Sequence, residues 1–414
     1  TEGILIEEAK EILNKSGHPP IEFISDINRS LIESRIEGAI ISSNKVLEIL
    51  KLAKTSRLLI QFLKSELKDG SRLRDKLNFL FSDKLFEHHI EKVINEQGEI
   101  RENASNELSR IRKDINSRRN ELVKSINRII KTLKDEDIVR EDYLTLRDGR
   151  MVIPIKAEHK RHIRGFIHSE SSTGQTVYIE PEETLDLNND IISLSFAERR
   201  EIERILKELT KMIGQSSEQL KTSLDTIAYI DSIFARAKYS TEIIGSFPQV
   251  DNSKPIFISE ARHPILLKKL SRTKTVPLSF ELNSDKVVVI TGPNAGGKTV
   301  VLKTIGILSI MLQAGIHVPA NSNSNFHIFE NILIDIGDQQ SIEDDLSTFS
   351  SHLKNLKSII DNAGLDSLIL LDEIGTGTDP AEGSALAAAI LSTLLDKGST
   401  VFASTHHGSL KVFA

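Results

Sequence analysis

The sequence predicts a multidomain chain: a mainly α-helical body carrying a small β module, followed by an α/β P-loop domain. Three observations carry that expectation. Residues 106–134 repeat apolar side chains at helical spacing. Residues 139–181 switch to strand patterns around Asp148-Gly149. Residues 287–299 run from an apolar strand into a glycine-rich loop that ends in lysine and threonine.

The chain has 414 residues, enough for two or three domains with sizeable cores. Apolar content of 39% and charged content of 27% fit a water-soluble globular protein, and no apolar run reaches the roughly 20 residues of a membrane span. Residues Thr1 to Glu8 lack the basic start and long apolar core of a signal peptide. With no cysteine, disulfides and thiolate metal sites are excluded. The expected setting is cytoplasmic. Net charge is −6, and residues 254–414 carry 13 basic against 16 acidic groups. Any nucleic-acid site must therefore be a local patch. The chain opens on Thr1 and stops a few residues past His406, where a doubly wound domain would normally continue, so it reads as a fragment.

Residues 1–105 read mostly as helices, with one apolar face through Leu47, Leu50, Ala53, Leu58 and Ile60. Gly17-His18-Pro19-Pro20 and Asn95-Glu96-Gln97-Gly98 interrupt them. In residues 106–134, Leu108, Ile111, Ile115, Leu122, Ile126, Ile129 and Leu133 recur at three, four or seven positions, with Arg118 at the missing step. This is a long amphipathic helix suited to a coiled-coil arm. It holds nine basic residues against three acids, which suits a solvated face and a phosphate-facing stripe equally.

Asp148-Gly149 between Tyr143–Arg147 and Arg150–Lys156 is a hairpin signal. Further strands are expected over Ile163–His168 and Thr176–Ile179, with helix returning from Glu183 to about Ile244. A helix out, a β module and a helix back make an arm with a tip. Lys156, Lys160, Arg161 and Arg164 cluster there as candidate nucleic-acid contacts. Phe196-Ala197-Glu198 has the letters of a Phe-x-Glu wedge, but it lies within the returning helix and is read as chance. The pairs His88-His89 and His159/His162 have no ligand at metal spacing.

Gly292-Pro293-Asn294-Ala295-Gly296-Gly297-Lys298-Thr299 follows Val287–Ile290 and has the form GxxxxGK[ST]. The glycines let backbone N–H groups converge on phosphate oxygens. Lys298 can reach the β- and γ-phosphates, Thr299 offers a hydroxyl to Mg²⁺, and Val300 completes the stretch expected to hold ATP. Leu368–Leu371 ends in Asp372 and Glu373, as a buried strand ends at the ligand-binding edge of an open α/β sheet. Asp372 would hold Mg²⁺ and Glu373 would polarise the attacking water. The same string also suits an ordinary strand ending in a solvated acidic turn. Thr400–Ser404 reads as another strand, after which His406 can sense the γ-phosphate. Gly375–Pro380 is too rich in glycine and proline for a helix interior. Leu346–Ser350 precedes an expected helix from His352 to Asp361, as an N-cap that either faces phosphate or simply caps.

The chain lacks a guanine-reading NKxD and the LSGGQ string of transporters. The order TGPNAGGKT, LSTFSSH, LILLDE, GTGTDP, STHH resembles the ATPase of the MutS family. Ala261–Pro264, Asp335–Ser341, Arg147–Lys156, Ser172–Thr176 and Ile179-Glu180-Pro181 extend the likeness, the later ones toward the type-2 branch. Thr299 stands where the mismatch-repair loop usually has serine. The resemblance implies a helical core (1–105), a lever helix (106–138), a β clamp module (139–181), returning lever helices (182–250) and an ABC-type P-loop ATPase domain (251–414). It implies that Ser347 acts in trans in a homodimer formed through the ATPase domain. It further implies ATP and Mg²⁺, and branched or double-stranded DNA as the partner, with recombination suppressed. The alternative is a ribosome-associated ATPase that contacts rRNA and splits stalled ribosomes. A chromosome-structuring ATPase would need a far longer arm. The family's nuclease domain has no counterpart after His406, so no nuclease activity is expected of these residues.

Overall fold

A computed structural model of the chain describes residues 2–134, 138–139, 145–283, 285–293, 296–337, 345–376, 378–408 and 410. In chain order the elements are α1 (Glu2–Ser16), α2 (Asn28–Glu33), α3 (Ser43–Glu66), α4 (Arg72–Lys76), α5 (Lys84–Val93) and α6 (Asn106–Lys134). Next come β1 (Thr145–Arg147), β2 (Arg150–Lys156), β3 (Gly165–Glu170), β4 (Thr176–Pro181) and α7 (Leu185–Glu242). Then follow β5 (Gln249–Val250), β6 (Ile256–Ala261), α8 (Pro264–Leu270), β7 (Leu278–Leu282), β8 (Val287–Thr291) and α9 (Lys298–Gln313). The chain continues through β9 (Asn325–Phe326), β10 (Asn331–Asp335), α10 (Asp345–Asn362), β11 (Ser367–Leu371), α11 (Pro380–Asp396) and β12 (Thr400–Thr405). Two compact units form: Thr1–His18 with Glu66–Asp75 and Ala228–Ala414, and Pro19–Ser65 with Lys76–Ile227. No described helix is long and apolar enough to cross a membrane.

In the second unit, α3 buries Val46, Ile49, Leu50, Ala53, Leu59 and Leu63. This corrects the expected face: Leu58 is exposed and Leu47 only half-buried, because Ser56 takes the buried position. Ser223 Oγ lies 2.8 Å from Ser56 Oγ and accepts from Phe81 N at 3.2 Å, so this buried pair is satisfied. Gly214 sits in mid-helix because a Cβ there would meet Ser34 O at 2.3 Å.

Three side-chain contacts tie α6 and Ser105, the residue before it, to α7. Ser105 reaches Glu201, Arg112 reaches Glu198 at 2.7 Å, and Arg118 reaches Asp190 at 3.4 Å. Numbers rise along one helix and fall along the other, so the two run antiparallel. Arg204 and Ser105 bring the Glu201 carboxyl down to about 2. The α6 face differs by one residue from the expected one: Ile130 is buried and Ile129 is partly exposed.

The β module is a four-stranded sheet of order β1-β2-β4-β3, antiparallel at every pairing. Asp148 and Gly149 have φ of 50° and 77°, the left-handed pair of a type I′ hairpin. Ile153, Ile155, Val177 and Ile179 pack with Leu122, Ile126, Ile130 and Leu133 of α6. The third strand starts at Gly165, two residues later than expected, and bulges between Ile167 and Ser169. Glu180 is 1% exposed and accepts from Arg150 at 2.7 Å and His168 at 2.6 Å. The Arg150 charge and the two hydrogen bonds make burial of the carboxylate tolerable.

In the first unit, β10-β11-β12-β8 form a wholly parallel sheet. Leu368 and Leu370 pack with Leu302, Ile305 and Leu308 of α9. The alternate residues Ile369 and Leu371 pack with Leu356 and Ile359 of α10 and Ile390 and Leu394 of α11. Burial on both faces explains the unbroken apolar runs. A second sheet, β5-β9-β6-β7, joins the α9 side. Helix α10 begins at Asp345 and not His352, so Ser347 falls within its first turn instead of capping a later helix. No breaker stands in residues 345–351, and an acid at Asp345 suits a helix start.

His317 is fully buried, with Nδ1 2.8 Å from Ser240 Oγ and Nε2 3.0 Å from Gly3 O. Burial pushes its pKa below the ordinary value, so the native state holds it neutral. Its contribution is full above the unfolded value of about 6.5 and is lost as pH falls through the lowered folded value. Between about pH 7.5 and about pH 5, His317→Gln should lose less thermal midpoint than the parent chain. An identical drop in both would show that His317 does not carry this linkage.

Candidate functional site

The site lies at the C-terminal edge of the parallel sheet. Thr291 ends β8, and Gly292 and Gly297 take φ of 152° and 80° before Lys298 opens α9. A Cβ at either glycine would meet nothing within 4 Å, so backbone conformation and not crowding demands glycine there. The loop is thus an open cradle at a helix N-terminus, which fits a polyphosphate. Thr299 and Val300 occupy the first turn of α9. Asn294 and Ala295 lie outside the described residues.

Lys298 is 5% exposed and folds over the loop, donating to Gly292 O at 2.7 Å. Its Nζ is also 3.4 Å and 3.3 Å from the Nδ1 and Nε2 of His406. His406 Nε2 is 3.3 Å from Glu373 Oε1. The tautomer of His406 sets which of these contacts donates. P-loop lysine, carboxylate and histidine therefore meet in one chain of contacts.

Asp372 is 8% exposed, and its N–H donates to Asp335 O at 2.8 Å. Ser404, next to the end of β12, donates through Oγ to Asp372 Oδ1 and accepts from Glu373 N at 2.8 Å. One hydroxyl thereby fixes both acids. Glu373 has φ of 53°, left-handed for a residue with a Cβ. Its carbonyl is held by Thr376 N at 3.2 Å and Thr376 Oγ1 at 2.8 Å. Strain of this kind is characteristic of functional positions.

Around this centre, His407 Nε2 contacts Gly375 O at 3.0 Å. Gly375 and Gly383 are so close that a Cβ on Gly383 would meet Gly375 O at 2.1 Å. Asp379 caps α11 by accepting from Ala381 N, and Pro380 follows at its first turn. On the other side, His352 Nδ1 lies 2.8 Å from Asp335 Oδ2 and Asn355 donates to Asp335 Oδ1 at 2.8 Å. The Asp335 carboxylate raises the His352 pKa. Since the folded value is raised, this pair stabilises below the unfolded pKa and weakens as pH rises through the raised one.

The geometry thus joins Lys298, Asp372, Glu373 and His406. The backbone of Ser347 is in α10, and its side chain is not among those described. Lys160, Arg161 and Arg164 are exposed, and Lys156 is half-buried at the end of β2. They belong to the other compact unit. Sequence reasoning missed Ser404, Asp335, His352 and Asn355. Only a serine at a strand end and a charged residue closing β10 hinted at them. No group of three or more His, Asp or Glu suited to a metal occurs among the described residues.

Residues 288–414 match the family described as MutS domain V. The chain is 39% identical to the protein named Endonuclease MutS2 of Alkaliphilus oremlandii over 98% of this chain and 51% of that protein. It is 38% identical to Endonuclease MutS2 of Halothermothrix orenii over 99% of this chain and 52% of that protein. A Clostridium botulinum protein of the same name is 39% identical over 98% of this chain and 51% of its own length. The chain spans about half the length of the curated relatives it matches. Over nearly its whole length the chain is thus similar to part of proteins named Endonuclease MutS2.

Ser404→Ala should leave Glu373 N without its partner and loosen Asp372. We expect nucleotide affinity within about threefold of the parent and hydrolysis reduced about tenfold or more. Filter binding and phosphate release check this. Unchanged turnover would remove Ser404 from the site's machinery.

Proposed function

Taking the chain as a protein of the MutS2 type, we propose that it is a Mg²⁺-dependent ATPase that acts on branched or recombination-intermediate DNA and suppresses homologous recombination. The observation that supports the ATPase reading most is the meeting of Lys298, His406, Glu373 and Asp372 at the end of a parallel sheet beside a helix N-terminus. Residues 292–300 take the triphosphate, with Lys298 swinging from Gly292 O to the phosphates. Thr299 and Asp372 hold Mg²⁺, which supplies charge neutralisation at the phosphates. Glu373 accepts a proton from the attacking water, and His406 positions that carboxylate and reads the γ-phosphate. Such sites work mainly by positioning and charge stabilisation.

The site is completed in trans by Ser347 of a second copy, so ATP closes a homodimer and hydrolysis opens it. The proposed domain roles are a helical core, a lever formed by the antiparallel α6 and α7, a clamp formed by β1–β4, and the ATPase unit. Lys156, Lys160, Arg161 and Arg164 are assigned to DNA phosphates. The rival stripe on α6 is less suited, because Arg112 is tied to Glu198 and Arg118 to Glu121 and Asp190. The ribosome-directed alternative has no observation of its own to favour it. The relatives are named endonucleases. Cleavage is not assigned to the residues of this chain. The proposed setting is cytoplasmic.

Glu373→Gln should bind ATP like the parent and lose at least about 100-fold in turnover, while Lys298→Ala should lose nucleotide affinity. Equal turnover in Glu373→Gln and the parent would end the role given to Glu373. Neutralising Lys156, Lys160, Arg161 and Arg164 together should weaken binding to a DNA junction and lower the salt slope by about one unit per lost contact. Basal ATP hydrolysis should persist. An unchanged affinity and slope would move the contact away from the β module.

A further inference from the structure

The β module carries a second feature that phosphate contacts do not use. Phe166 lies on β3, an outer strand of the four-stranded sheet, and is 62% exposed. A large apolar side chain on an open sheet edge invites association. Tyr178, an aromatic on β4, has its ring covered by the Arg147 guanidinium 4.3 Å from the centroid. Among the described residues, no ring or cation covers Phe166.

The surroundings of Phe166 are basic. Arg164 precedes it by two positions, and its carbonyl extends the strand pairing to Glu182 N. Alternation therefore sets Arg164 on the same side as Phe166. Lys160 and Arg161 stand in the turn that feeds the strand. All three are exposed, with no ion-pair partner among the described residues. The residue opposite Phe166 is Glu180, whose carboxylate is buried and held by Arg150 and His168. It adds little negative charge to that surface. Glu158, two residues before Lys160, and Glu170, at the far end of β3, are the exposed carboxylates nearest in sequence; Glu158 faces His159 at 3.6 Å, and the bulge between Ile167 and Ser169 separates Glu170 from Phe166 along the strand.

An open aromatic face beside three unpaired cations is the combination that takes a base and its phosphates together. We propose that Phe166 is a stacking platform for an unpaired base, so that this edge of the β module binds single-stranded nucleic acid through Phe166, Lys160, Arg161 and Arg164. This rests on the assignment of the module to DNA and deepens it: branched DNA would be distinguished from a plain duplex by its unpaired bases. A peptide strand added to the open edge is the competing occupant, but backbone pairing has no use for three cations.

The chain contains no tryptophan, so Phe166→Trp introduces a single reporter on the ring itself. The full chain is titrated with an oligothymidylate of about 15 nucleotides and with a duplex of equal length. Expected results are quenching of the Trp emission by the oligothymidylate, and about tenfold or greater loss of single-strand affinity in Phe166→Ala. Duplex affinity and salt slope should stay at the parent's values. If the parent binds both ligands and the Trp emission is unmoved at saturation, or Phe166→Ala binds both like the parent, the stack is wrong while the DNA assignment stands. That outcome would leave the edge to a peptide partner. Equal loss on both ligands would likewise overturn stacking. If the parent binds neither, the DNA assignment itself fails.

Discussion

A parallel sheet covered by helices on both faces leaves polar groups nowhere to go but its ends. Leu368 to Leu371 alternate between two apolar cores, so the strand's polar groups stand at its two ends, Ser367 before this run and Asp372 and Glu373 after it. Strand β12 likewise keeps Val401, Phe402 and Ala403 in its middle and its polar residues Thr400, Ser404 and Thr405 at its ends, and β10 ends at Asp335. Because all four strands are parallel, their ends coincide along one edge. Asp335, Asp372, Ser404 and the glycine loop after Thr291 are neighbours for that reason. The chemistry of the site follows from a packing constraint.

Within that edge, acids are arranged by hydroxyls and backbone amides more than by cations. Ser404 holds both Asp372 and Glu373, and Asp335 receives the Asp372 amide. Lys298 is spent on Gly292 and His406, and not on Asp372. A carboxylate held by neutral donors keeps its charge available to an incoming cation, whereas a lysine partner would compete with it. The left-handed Glu373 fits this scheme. Its carbonyl turns back to Thr376 while its amide goes to Ser404, a reversal that the backbone cannot make in an ordinary strand or helix conformation.

Much of this edge was legible because each group sits at a fixed offset from an apolar run. Lys298, Asp372, Glu373 and His406 each follow a strand pattern in the chain itself. Ser404, Asp335 and His352 were not legible, because their partners are set by sheet order. Of this sheet's strands β8 comes first in the chain, yet it pairs with β12, the last. In the helical unit the amphipathic pattern identified α6 closely but mis-phased α3, where buried Ser56 and exposed Leu58 invert the usual preference. The start of α10 was placed late because serine and threonine are weak helix formers, and tertiary packing of Leu356 and Ile359 overrides that. The Asp148-Gly149 hairpin was readable for the opposite reason: its left-handed φ values are a local demand met by local residues.

The three ties to α7 from α6 and Ser105 have a mechanical meaning. Sliding one helix past the other by a single turn, about 5.4 Å, would break Ser105–Glu201, Arg112–Glu198 and Arg118–Asp190 together. The pair therefore behaves as one strut, and a push along its axis is carried without slip. The two ion pairs are partly open to water, so dissolved salt softens them. Under the proposed role, ionic strength would act twice on this unit, once on the phosphate contacts of the β module and once on the stiffness of the helix pair.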